Sequence, residues 1–461
     1  MSCIDANIES DVRALEGLSV FVAYNANVDA IVQIDDELES YLERPAAPGE
    51  EPPPSPLDSK RDLAAAITHA MAAGRGDEIA MTDAFAGTLE SEFEPDSQQL
   101  GGQTGIMTNL ASLLGASPIM YTYLLSDRQI SAFRRPRAVR YPSVENGRVR
   151  FVPLDDAVNT ERTKINWVFE FAVGNELFDV RATENTRFIA ASRPPEFDLH
   201  AGDLDSQIDQ IGEAVDGALL AGYHNLSSEH LEGSYERTHR HARDVIRRLR
   251  SGGELPIHVE YAVTHDDDLR ASMYEVILPE ANVLGTDTRE LALLHDDAGL
   301  DAPKERPTEE TPFEATEILT HYRMLSALRE DLGVDCIRLH AMQYHLAVMD
   351  SYLPPESIRR GLAFAAVNAA TKAARGDVTA PDDLETGLAY EPSTMGRDAI
   401  QLLADHVGEP TDDGTLCTPT VVACPNRVVD DPAGTVGIGD VVSASSFLLE
   451  LAVTDGIEGE P

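Results

Sequence analysis

The sequence predicts an α/β protein: a large domain on a mainly parallel sheet, with a smaller β-rich lid. Three observations carry this. From about residue 200 onward apolar strand-like runs alternate with helical ones, the rhythm of parallel strands covered by helices. Earlier, short strand-like segments separated by glycine- and proline-rich loops form a second group. Near the C-terminus, residues 435–447 (TVGIGDVVSASSF) read as a glycine turn entering a helix of small residues. Residues 1–30, 101–149 and 196–461 are expected to form the large domain. Residues 31–100 and 150–195 are expected to form the lid.

Eighty acidic residues against 36 basic ones leave a formal net charge of −44, spread along the whole chain. Such repulsion strains a compact fold in dilute buffer and points to a high-salt cytoplasm, where screening shortens its reach. Disorder is opposed by 43% hydrophobic residues. Nucleic acid and anionic membranes would be repelled, so neither is expected as a partner. No apolar run reaches the ~18 residues of a membrane-crossing helix, and the acidic N-terminus has no signal-peptide layout, so a cytoplasmic protein is expected. Cys3, Cys336, Cys417 and Cys424 have no metal-ligand spacing; Cys336 and Cys424 read as reduced core residues.

In chain order, 18–24 reads as a buried strand with NANVDA (25–30) beyond its carboxyl end, where open α/β sheets bind ligands. Two amides and a carboxylate there suit the hydroxyls of a polyol, and equally an Asx-rich turn. A proline-rich acidic loop (45–56) precedes a helix at 61–73 and the segment GRGDEIA, in which Glu78 reads as one more exposed acid. GGQTGIM (101–107) places glycines before the helix 106–116, so backbone can approach a ligand at a helix N-terminus, or simply turn tightly. Strands follow at 117–123, 149–154 and 164–172, the last alternating as a half-exposed strand does. Lys164, one of only four lysines, shares a strand face with Asn166. Lys164, Arg187 and Arg193 are cations that can converge on a phosphate, although exposure is the usual state of lysine.

The second half contributes a strand at 218–224, an Arg-rich helix at 233–251, and PIHVEY (256–261) with His258 and Glu260 on one face. Asp287 and Glu290 share a helical face in GTDTREL. With Glu260 they can hold Mg²⁺ through its waters, though in so acidic a chain three acids also cluster by chance. A polar insertion (298–312), a hairpin around 340–343, an alanine-rich helix at 356–376 ending on Gly376 and a strand at 420–423 complete the chain. His224, His258, His340 and His345 read as structural. In the glycine turn at 435–440, Gly437 and Gly439 let backbone N–H groups point toward one anion at the start of a helix, with Asp440 at its mouth, able to take a proton from an attacking hydroxyl. The same residues also fit an ordinary turn into an Asp-bearing helix.

Taken in order, NANVDA, GGQTGIM, KINWVFEF, NTRFIAAS, AGYHNL, HVEYA, LGTDTREL and TVGIGD resemble the archaeal ADP-dependent glucokinase/phosphofructokinase family, of haloarchaeal type, from about residue 18 to 450. The resemblance implies a ribokinase-like three-layer α/β/α large domain with a small lid, and phosphoryl transfer from ADP to a sugar with Mg²⁺. It implies that Asp440 is the base, with Gly437, Ile438 and Gly439 as the anion hole. Asn27, Asp29, Gly102 and Gln103 match sugar-binding positions, and Glu260 and Glu290 match positions tied to the metal. Asp287 stands where the family pattern has Asn. Lys164, Asn166 and Arg187, with Arg193, resemble the set that receives the 6-phosphate of fructose 6-phosphate. Glu78 resembles the glutamate that glucokinase members use on glucose. Phosphofructokinase activity is therefore expected, with a glucokinase, a bifunctional kinase or a non-catalytic sugar- or nucleotide-binding protein as alternatives.

Overall fold

The computed structural model describes residues 7–195, 199, 202–228, 231, 233–250, 252–300, 313–350, 352–408 and 413–457. Eleven strands form the larger sheet. Their order is Leu416–Cys417, Val421–Pro425, Tyr344–Met349, Cys336–His340, Val283–Thr286, Ile257–Glu260, Gly217–Ala221, Ser19–Tyr24, Ser117–Thr122, Arg140–Glu145 and Arg148–Pro153. The strands from Cys336–His340 to Arg140–Glu145 run parallel, and antiparallel strands close both edges.

Alternation along Ser19–Tyr24 explains the layers. Val20 and Val22 pack toward helices Gln103–Leu114, Pro355–Arg375 and Ile438–Ile457 through Met107, Phe364 and Phe447. Phe21 and Ala23 face the opposite core, which holds Ile246, Leu328 and Leu403 of helices Tyr235–Leu249, Phe313–Leu332 and Thr394–Val407. Both sheet faces are thus covered by helices, which gives the ribokinase-like three-layer α/β/α body. Burying each such side chain contributes about 1.5–3 kcal/mol.

A second sheet has the order Asp77–Met81, Thr186–Ser192, Ile165–Phe171, Asn27–Gln33 and Ser97–Gly101. Residues 27–30, placed above in the large domain, therefore belong to the small sheet. Residues 27–29 are strand rather than turn, because Asn27–Gln33 pairs with Ile165–Phe171 and Ser97–Gly101. The chain crosses from one sheet to the other over only Asn25 and Ala26. Residues 150–153, placed above in the lid, lie in the large sheet. They form a hairpin with Arg140–Glu145 across Asn146 and Gly147, which both have positive φ (53° and 73°), as a tight two-residue hairpin turn requires.

Strand Ile165–Phe171 is buried almost throughout rather than half-exposed. Trp167, Phe169 and Phe171 pack in the small-sheet core with Leu63 and Ile67 of helix Lys60–Ala73. Val168 and Ile31, on the other face, meet Val436 of the C-terminal glycine turn. That second contact seats the small sheet over the large one. Residues 301–312 of the expected polar insertion lie outside the described residues. Among the described residues no helix is long and apolar enough to cross a membrane.

Candidate active site

Residues at the carboxyl ends of the parallel strands and the turn before helix Ile438–Ile457 line a cleft of about 890 Å³. Gly437 has φ of 72°, a left-handed conformation that glycine adopts without strain. A Cβ there would stand 2.5 Å from Ile106 Cδ1, and one on Gly439 only 2.7 Å from His340 Nε2. Gly437 is therefore set by its backbone conformation, while at Gly439, inside the helix, a Cβ would have to displace the His340 ring. The N–H groups of Ile438, Gly439 and Asp440 open the helix and have no intrahelical acceptor, so this end of the cleft favours an anion. Gly437→Ala is expected to lower kcat by roughly tenfold or more with a Tm loss of a few degrees, checked by steady-state kinetics and thermal melting.

Asp440 also lines the cleft. Burial, then the charges of Glu260 and Asp29, push its carboxyl up to about 7, while Lys372 and Arg187 pull the other way. Glu260 ends its strand and accepts a hydrogen bond from His258 Nε2 at 2.8 Å; its other oxygen is 3.9 Å from His340 Nε2. Burial raises Glu260 to about 7. Asp287 caps helix Thr288–Asp297: its Oδ1 accepts from the Glu290 N–H, and Glu290 Oε2 accepts from the Asp287 N–H, each at 2.8 Å. Burial and the neighbouring Asp287, Glu260 and Asp440 push Glu290 well above the usual carboxylate range. Among the described residues no three His, Cys, Asp or Glu side chains gather closely enough to hold a metal ion directly. Several carboxyls strained toward protonation beside one cleft suit a cation that keeps its waters.

At the crossing between the sheets, Asn27 Nδ2 donates to Asp29 Oδ1 at 2.7 Å. A Cβ on Gly101 would lie 2.1 Å from Asp29 Oδ1, and one on Gly102 2.6 Å from Asn27 Oδ1. Only glycines leave room for this pair. Asn27 Oδ1 and Gln103 Oε1 are buried without a hydrogen-bond partner, the condition of atoms awaiting a hydroxyl donor. Burial raises Asp29 to about 6, opposed by the hydrogen bond from Asn27 and the charge of Lys164.

The three expected cations separate. Lys164 is 1% exposed, far from a solvated lysine, and its Nζ donates to Asn25 Oδ1 at 2.9 Å. Burial lowers it to about 7, with Arg193 adding to the effect. Arg193 donates to Glu78 Oε1 at 3.0 Å and to Asn225 Oδ1. Glu78, read above as an exposed acid, is thus paired, and the charges of Arg193, His224 and Lys164 hold it below its ordinary range against the opposing effect of burial. Asn166 Oδ1 accepts the Ser192 N–H at 3.2 Å. Arg187 instead donates to Thr435 Oγ1 at 2.8 Å, two residues before Gly437, and keeps a buried Nε without a partner. Lys164, Arg193 and Glu78 form one group, and Arg187 reaches across to the glycine turn.

Sequence reasoning missed His340, Thr435 and Asn225. His340 is the last residue of its strand, a position that by itself marks ligand-facing residues in such sheets, and it lines the cleft. Thr435 and Asn225 fall inside the TVGIGD and AGYHNL motifs, but nothing in those motifs marks their partners, which are arginines distant in sequence.

Unpartnered amide oxygens beside Asp29, the Asp440 carboxylate and the open N–H groups of helix Ile438–Ile457 are groups able to bind a hydroxyl, take its proton and receive an anion, which is what phosphoryl transfer to an alcohol requires. The chain belongs to the ADP-specific phosphofructokinase/glucokinase family, whose conserved region matches residues 18–449. It is 29% identical to the ADP-specific phosphofructokinase of Thermococcus zilligii, over 95% of this chain and 96% of that protein. It is 25% identical to the ADP-dependent glucose/glucosamine kinase of Pyrococcus furiosus, over 97% of each. A solved ADP-dependent kinase in complex with fructose 6-phosphate and ADPβS superposes with a TM-score of 0.82 at 29% identity, covering 98% of this chain and 97% of that one.

Proposed function

We infer that this protein is an ADP-dependent 6-phosphofructokinase, transferring the β-phosphoryl group of ADP to fructose 6-phosphate to give fructose 1,6-bisphosphate and AMP. The observation that carries this reading is the buried Lys164–Arg193 group next to Asn27 and Asp29, in a chain with only four lysines. Two desolvated cations beside an orphaned amide oxygen suit a sugar that bears both hydroxyls and a phosphate.

In this reading Asn27, Asp29, Gly102 and Gln103 hold the sugar. Lys164, Asn166 and Arg193 take its 6-phosphate. Arg187, anchored on Thr435, faces the phosphoryl group in transfer. Asp440 takes the proton of the attacking sugar hydroxyl as its oxygen bonds to the β-phosphorus and the bond to the AMP oxygen breaks. The amides of Gly437, Ile438 and Gly439 receive the phosphoryl oxygens. Mg²⁺, when bound, neutralises phosphate charge during transfer, and Glu260, Asp287 and Glu290 would hold it through water. The small sheet, residues 31–100 and 150–195 as amended above, acts as a lid that excludes water from ADP.

The Glu78–Arg193 pair favours a second reading, glucokinase activity, because Glu78 offers an acceptor to a sugar hydroxyl where no phosphate draws Arg193 away. Thermal shift separates the two: fructose 6-phosphate is expected to raise Tm more than glucose at equal concentration, and the reverse order would overturn the assignment. Chelation by EDTA is expected to abolish turnover, and added Mg²⁺ to restore it and raise Tm. Full turnover in EDTA would exclude the cation.

A further inference from the structure

We propose that Arg289 is a positioning residue that ties strand Asp77–Met81 of the small sheet, which carries Glu78, to the helix carrying Asp287 and Glu290. The inference rests on the functional reading above and adds the route by which its two halves communicate. Arg289 Nη1 donates to the Gly76 carbonyl at 3.0 Å and Nη2 to Asp77 Oδ1 at 3.1 Å. His265 Nε2 reaches the same Asp77 oxygen at 3.0 Å. Asp77 and Glu78 open strand Asp77–Met81, and side chains alternate along a strand. Asp77 thus turns outward to grip the large domain, while Glu78 pairs with Arg193 beside the sugar position.

Arg289 sits in the first turn of helix Thr288–Asp297, between the two acids of its capping box. That helix end lines the cleft through Asp287, Thr288 and Glu290. A shift of strand Asp77–Met81 when a sugar engages Glu78 and Arg193 is therefore carried by the guanidinium to the turn that holds Asp287 and Glu290. Two further polar links between the small sheet and the large domain, Arg187 to Thr435 and Arg193 to Asn225, lie within the substrate groups themselves, and Arg128 adds another to Gln98 and Glu90. The Arg289 link lies outside them, so it touches neither ligand. One surface ion pair is worth little, but here an arginine and a histidine meet one carboxylate, with a backbone carbonyl beside it.

The experiment measures the affinity of the ADP site by calorimetry with ADPβS, because ADP itself would be consumed, with and without a saturating acceptor, in Mg²⁺ and concentrated KCl. It is done for the wild type, Arg289→Ala, Asp77→Ala and the double variant. The acceptor is whichever of fructose 6-phosphate and glucose the wild type turns over, so an error in the acceptor assignment does not enter the result. The acceptor is expected to tighten ADPβS in the wild type by about fivefold or more, and this factor is expected to fall close to 1 in each single variant. ADPβS affinity without acceptor is expected to stay within twofold. The double variant is expected to match the singles, because both remove one link. Arg289→Lys is expected to recover part of the coupling, since it keeps the charge and one donor. Retention of the wild-type factor in Arg289→Ala, or absence of any such factor in the wild type, overturns the proposal. So does a uniform loss of ADPβS affinity with lowered Tm, which would mark Arg289 as merely structural.

Discussion

Replacing Asp440 by Asn lowers kcat by about 10³-fold and leaves KM for both substrates within a few-fold, because general-base catalysis by a positioned carboxylate is worth about 10²–10⁴. The same change raises thermal stability. Asp440 is held at about 7, above its ordinary 3.8, by burial and by Glu260 and Asp29. Between those values the folded state binds more protons than the unfolded one, so this group's contribution is fully favourable below pH ~4 and is lost as pH rises through about 7. Asn carries no such loss. At pH 8 without divalent cation, the variant is expected to melt at least about 2 °C above the wild type. Equal Tm values would mean that Asp440 is not held in the enclosed, acid-crowded position described above. The base must also be ionised to act, so kcat is expected to rise with pH through an acidic limb that Asp440→Asn removes.

Replacing Arg193 by Ala raises KM for fructose 6-phosphate by roughly 10- to 100-fold, the loss expected for a charged hydrogen bond to phosphate, and changes kcat little. Glucose turnover is expected to suffer far less. Lys164→Met is expected to act in the same direction. Lys164, lowered to about 7 by burial, is largely neutral in the empty site at alkaline pH; a dianionic phosphate beside it restores its charge. Binding of fructose 6-phosphate is therefore expected to take up protons above pH 7, measurable by calorimetry in buffers of different ionisation enthalpy. Arg187→Ala differs in kind: its anchor on Thr435 puts the loss mainly in kcat. Equal KM effects from Arg187 and Arg193 would contradict the division of labour proposed for them.

Much of the large sheet was legible because several of its strands are apolar runs that stop at a glycine or a polar residue, as Gly217–Ala221 does at Gly222 and Ser19–Tyr24 at Asn25. Helix Pro355–Arg375 likewise stops on Gly376 in the left-handed conformation, as its sequence predicts. The errors fall where pairing rather than local pattern decides. Asn27–Gln33 carries Asn and Asp at its start and reads as a turn, yet two neighbouring strands supply its hydrogen bonds. Strand Ile165–Phe171 alternates as if half-exposed, but Val168 on its second face is covered by Val436, some 270 residues away in sequence. The Asn146-Gly147 hairpin was readable in principle, since that dipeptide is a strong turn signal. At the site, the glycines and acids could be named from their motifs. Which cation meets which acceptor could not, because Arg187–Thr435 and Arg193–Asn225 join strands to loops that only the packed sheets bring together.

The central claim is the transfer of a phosphoryl group from ADP to fructose 6-phosphate. It is tested most directly by product analysis in concentrated KCl and Mg²⁺, crossing ADP and ATP as donors with fructose 6-phosphate and glucose as acceptors. AMP and fructose 1,6-bisphosphate are expected in equal amounts from the ADP and fructose 6-phosphate pair, at rates well above every other pair and above Asp440→Asn. Turnover with ATP alone, turnover of glucose alone, or a rate no higher than that of Asp440→Asn would contradict the claim.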